Sequence, residues 1–142
     1  MANKVYITGA SGRLGRVILS KCKAIPIVRK MRGLSGEIVS DFSTEELKKI
    51  LKDADAIIHL AGSRDFLDQK KAWEGNVELS RRIVDASPKT AKIIFSSSIS
   101  VYGKNLQEFR QMKKQNFAQI LHMQKQNWKQ RSLLKNTQIM LF

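Results

Sequence analysis

Thr8-Gly9-Ala10-Ser11-Gly12-Arg13-Leu14-Gly15 spaces three glycines three apart, directly after the apolar run Lys4–Thr8 and at the start of a helical stretch. Glycines in a strand–turn–helix let the backbone turn sharply and approach a ligand closely, and a helix N-terminus favours negative charge. The chemistry such a loop suits is the binding of a diphosphate, with the third glycine allowing close packing of helix on strand. Arg29, Lys30 and Arg32 follow the second apolar run, where a reader of an unphosphorylated ribose usually carries Asp or Glu. A guanidinium there suits a 2′-phosphate, and Arg13 within the loop adds to it. Other chemistries have little support. Cys22 is the single cysteine, His59 lies in an apolar run, His122 is isolated, and no cluster has metal-ligand spacing. Ser98 lacks the elbow context of a hydrolase nucleophile.

These residues need a frame, and the first hundred residues alternate strand and helix signals. Lys4–Thr8 reads as a strand, Arg13–Lys23 as a helix, Ala24–Val28 as a second strand with Pro26 its weak point, and Glu37–Ser40 as a short third. Ser43-Thr44-Glu45-Glu46 fits a capping box and opens a helix to about Lys52. Ala56–Leu60 is a fourth strand, Asp68–Ala86 a longer helix, and Lys92–Phe95 a fifth strand running into serines. Short β-branched strands joined through helices predict a doubly wound α/β fold with a parallel sheet of about five strands. Its ligand belongs at the carboxyl ends of the strands, where strand order reverses.

The chain has 142 residues, enough for one domain, with 42% hydrophobic and 27% charged residues. No apolar run approaches the ~20 residues that cross a bilayer, and Met1–Lys4 lacks a signal-peptide pattern, so the expectation is a cytoplasmic protein without a membrane partner. The net charge is +14, unevenly spread: +8 over residues 1–104 and +6 over residues 105–142. The second segment holds eight glutamines in 38 residues and no Gly, Pro, Val or Asp. This predicts a dinucleotide-binding unit over 1–104 and a basic Gln/Lys-rich tail, helical or poorly ordered, over 105–142. Oligomeric state is not legible.

The Gly-x-x-Gly-x-x-Gly spacing resembles the extended short-chain dehydrogenase/reductases, the NAD-dependent epimerase/dehydratase group. Asp41-Phe42 looks like the pair that contacts adenine, and His59-Leu60-Ala61-Gly62 like the fourth-strand end beside the pyrophosphate. Asn76 falls where the family carries a structural Asn, and Phe95–Gly103 looks like the fifth-strand motif ending in Val-Tyr-Gly. The resemblance implies a Rossmann-like fold and an NAD(P) cofactor held by Gly9, Ser11, Gly12, Arg13, Leu14, Gly15, Asp41, Phe42, Leu60, Ala61 and Gly62. Arg29 then favours NADP over NAD. It also implies a nucleotide-sugar substrate for the full-length protein, and a catalytic hydroxyl at Ser98, with Ser97 the alternative. Tyr102 belongs to the Val-Tyr-Gly motif and is not the family's catalytic tyrosine.

Family chemistry needs Tyr-x-x-x-Lys on a helix, the Lys lowering the phenol's pKa. Four residues after Tyr6 and Tyr102 stand Ala10 and Leu106, so the dyad is absent and the chain reads as a catalytically incomplete, truncated member. From about Glu108 the tail looks like the family's continuation in a shifted reading frame, with a tyrosine codon spanning His122 and Met123 and a lysine codon spanning Gln126 and Asn127. Two alternatives stand beside this: an NADP-sensing regulator without the tyrosine, and a basic tail that binds nucleic acid or a protein. The tail's sparse aromatics make nucleic acid the weaker partner.

Overall fold

Val5–Thr8, Ile25–Val28, Ile38–Val39, Ala56–His59 and Lys92–Ser97 form β1 to β5, runs dominated by residues that fit a pleated, buried surface. A computed structural model describes residues 3–63, 67–97 and 137–141. Every described strand pairing is parallel, in the order β3-β2-β1-β4-β5-β6, where β6 is Thr137–Leu141. This is the doubly wound, Rossmann-like arrangement expected from the sequence, and its switch point lies between β1 and β4. The sixth strand was not announced by the tail's pattern. Its partner β5 supplies the ladder, in register from Ile93–Thr137 to Ser97–Leu141.

Pro26 sits inside β2, opposite Ile7 of β1. β3 pairs only with Ile27 and Val28, so a proline at 26 removes no hydrogen bond on that side.

Successive residues of each strand serve opposite faces. Tyr6, Ile57 and Ile93 join Leu47 and Leu51 of α2 (Thr44–Leu51) and Leu79 and Ile83 of α4 (Leu79–Ala86) in the larger core. Ile7 and Ile58 face the other way, against Ile18 and Leu19 of α1 (Arg13–Lys21). The long helix expected over Asp68–Ala86 is three pieces: α3 (Gln69–Trp73), a π-helical turn over Glu74–Glu78, and α4. Asp68 caps it, accepting from the Lys71 N–H at 3.0 Å. At the opposite end of the sheet from the glycine loop, Asp53 accepts from the Tyr6 hydroxyl at 2.9 Å and pairs with Lys4. Burial and Asp53 together push the Tyr6 phenol up to about 12, which keeps it protonated at neutral pH with its hydroxyl hydrogen on Asp53.

Candidate functional site

The glycine loop leaves β1 and enters α1 at the switch point. Gly9 has φ +71, and a Cβ there would stand 2.7 Å from the Ala61 nitrogen and from the Leu60 carbonyl carbon. The loop therefore rests directly on the backbone that leaves β4. Gly15 is closer still: a Cβ would lie 2.4 Å from the Gly9 carbonyl oxygen. A side chain at Gly9 would push the loop off the backbone that leaves β4, and one at Gly15 would push α1 off the loop's own Gly9–Ala10 backbone. The Gly12 N–H closes the turn onto the Gly9 carbonyl at 3.1 Å. Gly12 is also the N-cap of α1, without a side-chain cap; no acidic residue occupies the first turn, which begins with exposed Arg13. Helix dipole, uncapped end and guanidinium all favour an anion there.

Ser11 in the loop and Leu14 in the first turn of α1 are half-buried, and the Leu60–Ala61 backbone lies against Gly9, with Gly62 next in the chain beside Asn76. The structure thus brings together the loop residues and the β4 residues that the sequence singled out. Arg29 and the pair Asp41-Phe42 follow β2 and β3 at the same carboxyl end of the sheet. Ser98, together with Tyr102, lies outside the described residues. For Ser97 only its backbone place at the end of β5 is described.

Phe42 has φ +61, a left-handed conformation uncommon for a bulky side chain, yet its ring is buried. Hydrogen bonds hold it there. Glu46 accepts from the Ser40 hydroxyl at 2.7 Å and the Asp41 N–H at 2.8 Å, and the Phe42 N–H donates to Ser40 Oγ at 3.0 Å. The capping box expected at Ser43 is half formed: Ser43 Oγ accepts the Glu46 N–H at 3.3 Å, while the Glu46 carboxylate reaches further back. Asp41 accepts the Ser43 N–H at 2.6 Å, the chief reason its carboxyl is held below the usual range. The Arg29 guanidinium lies over the Phe42 ring, 5.8 Å from its centroid.

Glu37 is the first carboxylate after β2, and the sequence reading passed over it. It accepts the backbone N–H groups of Arg32, Gly33 and Leu34 at 2.8–3.2 Å. Those bonds, Arg32's first, depress its pKa and commit it to the 32–37 loop. Glu37 thus holds the turn that joins β2 to β3.

Asn76 projects from the π-helical turn and brackets one residue, Ser63. Its Oδ1 accepts the Ser63 N–H at 2.8 Å and its Nδ2 donates to the Ser63 carbonyl at 3.1 Å. π-Helical turns recur at functional sites because they re-aim single side chains. Among the described residues no group of His, Cys, Asp and Glu could hold a metal ion. Among the same residues no helix is long and apolar enough to cross a membrane.

The sequence model of the NAD dependent epimerase/dehydratase family matches residues 5–120. The chain belongs to this family. No curated protein matches it, but solved structures do. UDP-N-acetylglucosamine 4-epimerase from Bacillus cereus is 27% identical with a TM-score of 0.64, over 74% of this chain and 42% of that one. A short-chain dehydrogenase/reductase superfamily protein from Agrobacterium tumefaciens with bound NAD is 25% identical with a TM-score of 0.60, over 71% and 34%. Uronate dehydrogenase from Agrobacterium tumefaciens, at 17% identity and a TM-score of 0.63, shares the fold over 89% of this chain and 57% of its own. The chain thus spans roughly a third to three-fifths of the length of these relatives.

Proposed function

We propose that this family member binds a dinucleotide across the β1–β4 switch point and is the cofactor-binding part of an extended short-chain dehydrogenase/reductase acting on nucleotide sugars. The observation that carries the reading is the contact of Gly9 with the Leu60–Ala61 backbone beside the uncapped N-terminus of α1. A pyrophosphate in that crevice meets backbone and helix dipole on one side and Arg13 on the other. The nucleotide-sugar assignment rests on the relative named as a UDP-N-acetylglucosamine 4-epimerase.

The preferred cofactor in this reading is NADP. Several of the similar solved structures carry NAD, so the support for NADP lies in this chain's own residues alone. Glu37 is spent on backbone N–H groups, and exposed Arg29 occupies the end of β2. Titrating the full chain with NADPH and NADH, followed by nicotinamide fluorescence, tests both levels. Binding of neither ends the cofactor reading; tighter NADH binding reverses the preference.

Catalytic incompleteness is the third part. Ser98 can orient a substrate oxygen, but the positioned tyrosine that moves the proton is missing, and such groups contribute about 10²–10⁴-fold. Turnover with nucleotide sugars is expected to be absent or very low. Substantial turnover abolished by Ser98→Ala would refute this and require another proton donor.

A further inference from the structure

A polar chain, buried at Thr8 and His59 and reaching half-buried Ser80, links β1, β4 and α4 behind the crevice, and the cofactor reading leaves it unused. His59 is 2% exposed, with its ring tilted against Phe95 at a centroid distance of 5.5 Å. Its Nδ1 lies 2.6 Å from Thr8 Oγ1 and its Nε2 lies 3.0 Å from Ser80 Oγ. Ser80 Oγ donates to the Asn76 carbonyl at 2.6 Å, and Thr8 Oγ1 accepts the Ala61 N–H at 3.3 Å.

The two ends of the chain fix every proton between them. A carbonyl only accepts, so the Ser80 hydroxyl proton goes to Asn76. Ser80 Oγ then accepts from His59 Nε2, which must carry hydrogen. A neutral ring leaves Nδ1 bare, so Nδ1 accepts from the Thr8 hydroxyl. The Thr8 oxygen is left with its lone pairs toward Ala61. Burial lowers His59 to about 4, which keeps the ring neutral near pH 7.

We propose that His59 is a positioning residue whose Nε2–H tautomer aims the Thr8 hydroxyl, so that the Thr8 oxygen holds the Ala61 N–H and fixes the Leu60–Gly62 wall of the crevice. Ser80 and Asn76 tie the same wall to the π-helical turn, and the Asn76 carboxamide grips Ser63 one residue beyond it. The opposite tautomer would set two acceptors against each other at Ser80 and turn the Thr8 proton away from the ring. The proposal deepens the cofactor reading and rests on it only for the identity of the ligand.

The experiment uses the full chain with ¹⁵N-labelled histidine, the His59 signals being assigned against His122→Gln. The expected result is a single Nε2–H tautomer at neutral pH without ligand. In His59→Phe, which keeps a ring against Phe95, the Ala61 amide should exchange about tenfold faster, the loss expected for one buried hydrogen bond. Exchange at Ile57 and Ile58 should change far less, whereas a merely structural role would speed all three alike. Thr8→Val, which preserves shape, should repeat the Ala61 effect. NADPH binding should weaken about tenfold in both variants. An Nδ1–H tautomer, or unchanged relative exchange at Ala61, overturns the proposal. The tautomer is read in the starting protein, so a variant that fails to fold leaves the decision intact. If the starting protein binds no dinucleotide, the cofactor reading falls, while tautomer and exchange still decide the role of His59.

Discussion

In the proposed reading, Arg29 supplies the site with an exposed charge and His59 with a buried neutral ring. Arg29 can leave the Phe42 face for a 2′-phosphate, and a charge-assisted pair of that kind is worth about 1.5–3 kcal/mol. Arg29→Ala should therefore weaken NADPH roughly 10–100-fold and leave NADH nearly unchanged in the same fluorescence titration. His59 carries a pH signature. The unfolded imidazole takes a proton near 6.5, whereas the folded ring, desolvated among Thr8, Ser80 and Phe95, resists until about 4. The unfolded state thus binds more protons between these values, so the His59 contribution is complete above 6.5 and is lost as pH falls toward 4. From pH 7 to pH 5 the unfolding free energy in urea should drop by about 2 kcal/mol on this account. His59→Phe should lack that drop. The shifted carboxylates of Glu37, Asp41 and Asp53 act in the same direction but at lower pH.

The crevice is made where elements meet, and its tolerances are backbone tolerances. Gly9→Ala would place a methyl on the Leu60–Ala61 peptide and hold a non-glycine residue at φ +71. Strain and overpacking of this kind cost about 1–3 kcal/mol each, so the variant should lose about 2–6 kcal/mol in urea unfolding and its dinucleotide binding. A loss of under ~1 kcal/mol would show that the β1 and β4 backbones separate easily. At this scale the sequence was most legible. The glycine spacing, the apolar runs of β1, β2, β4 and β5, and the Ser43 cap each depend on local chemistry, and each stands within a few residues of its expected place. Partners were not legible. Glu46 was read as a capping-box residue, but its carboxylate serves Ser40 and Asp41 because the αL turn at Phe42 brings them nearer. The Thr8–His59–Ser80 chain joins residues 51 and 21 positions apart, which no local pattern encodes. Ser80 did leave one trace, standing four residues after Asn76 at the spacing of a helical back-bond. β6 was missed because its pairing to β5, rather than its own residues, defines it.

For the molecule as a whole, the change of character near Asn105 is the feature that the dinucleotide-binding frame does not explain. Joining the last base of each codon to the first two of the next, with codons the genetic code permits, turns the stretch from Glu108 into Ile-Pro-Ala-Asp-Glu-Glu-Ala-Lys-Leu-Arg-Pro-Asp-Thr-Ala-Tyr-Ala-Lys-Ala-Lys-Leu-Glu-Ala. This is an acidic, proline-containing loop followed by Tyr-x-x-x-Lys, about twenty residues past Gly103, where the family resemblance expects the catalytic dyad. Lys135-Asn136-Thr137-Gln138 becomes Glu-Tyr-Pro-Asn in the same frame, like the family's lead into its sixth strand, and β6 begins at Thr137. Codon freedom makes any single match cheap. A loop, a dyad and a strand lead in the right order are much harder to obtain by accident. The same shift would account for the glutamine and lysine excess and for the missing Gly, Pro, Val and Asp. The coding DNA decides the matter: the shifted frame should be open through the tyrosine codon across His122 and Met123, and a stop codon before it would end the idea. If the frame stays open for a further half-domain, restoring it should yield a longer protein whose nucleotide-sugar turnover exceeds that of the 142-residue chain by the factor of about 10²–10⁴ expected for a positioned acid–base group. A restored protein that binds dinucleotide but turns over no nucleotide sugar would place the missing function elsewhere than in this dyad.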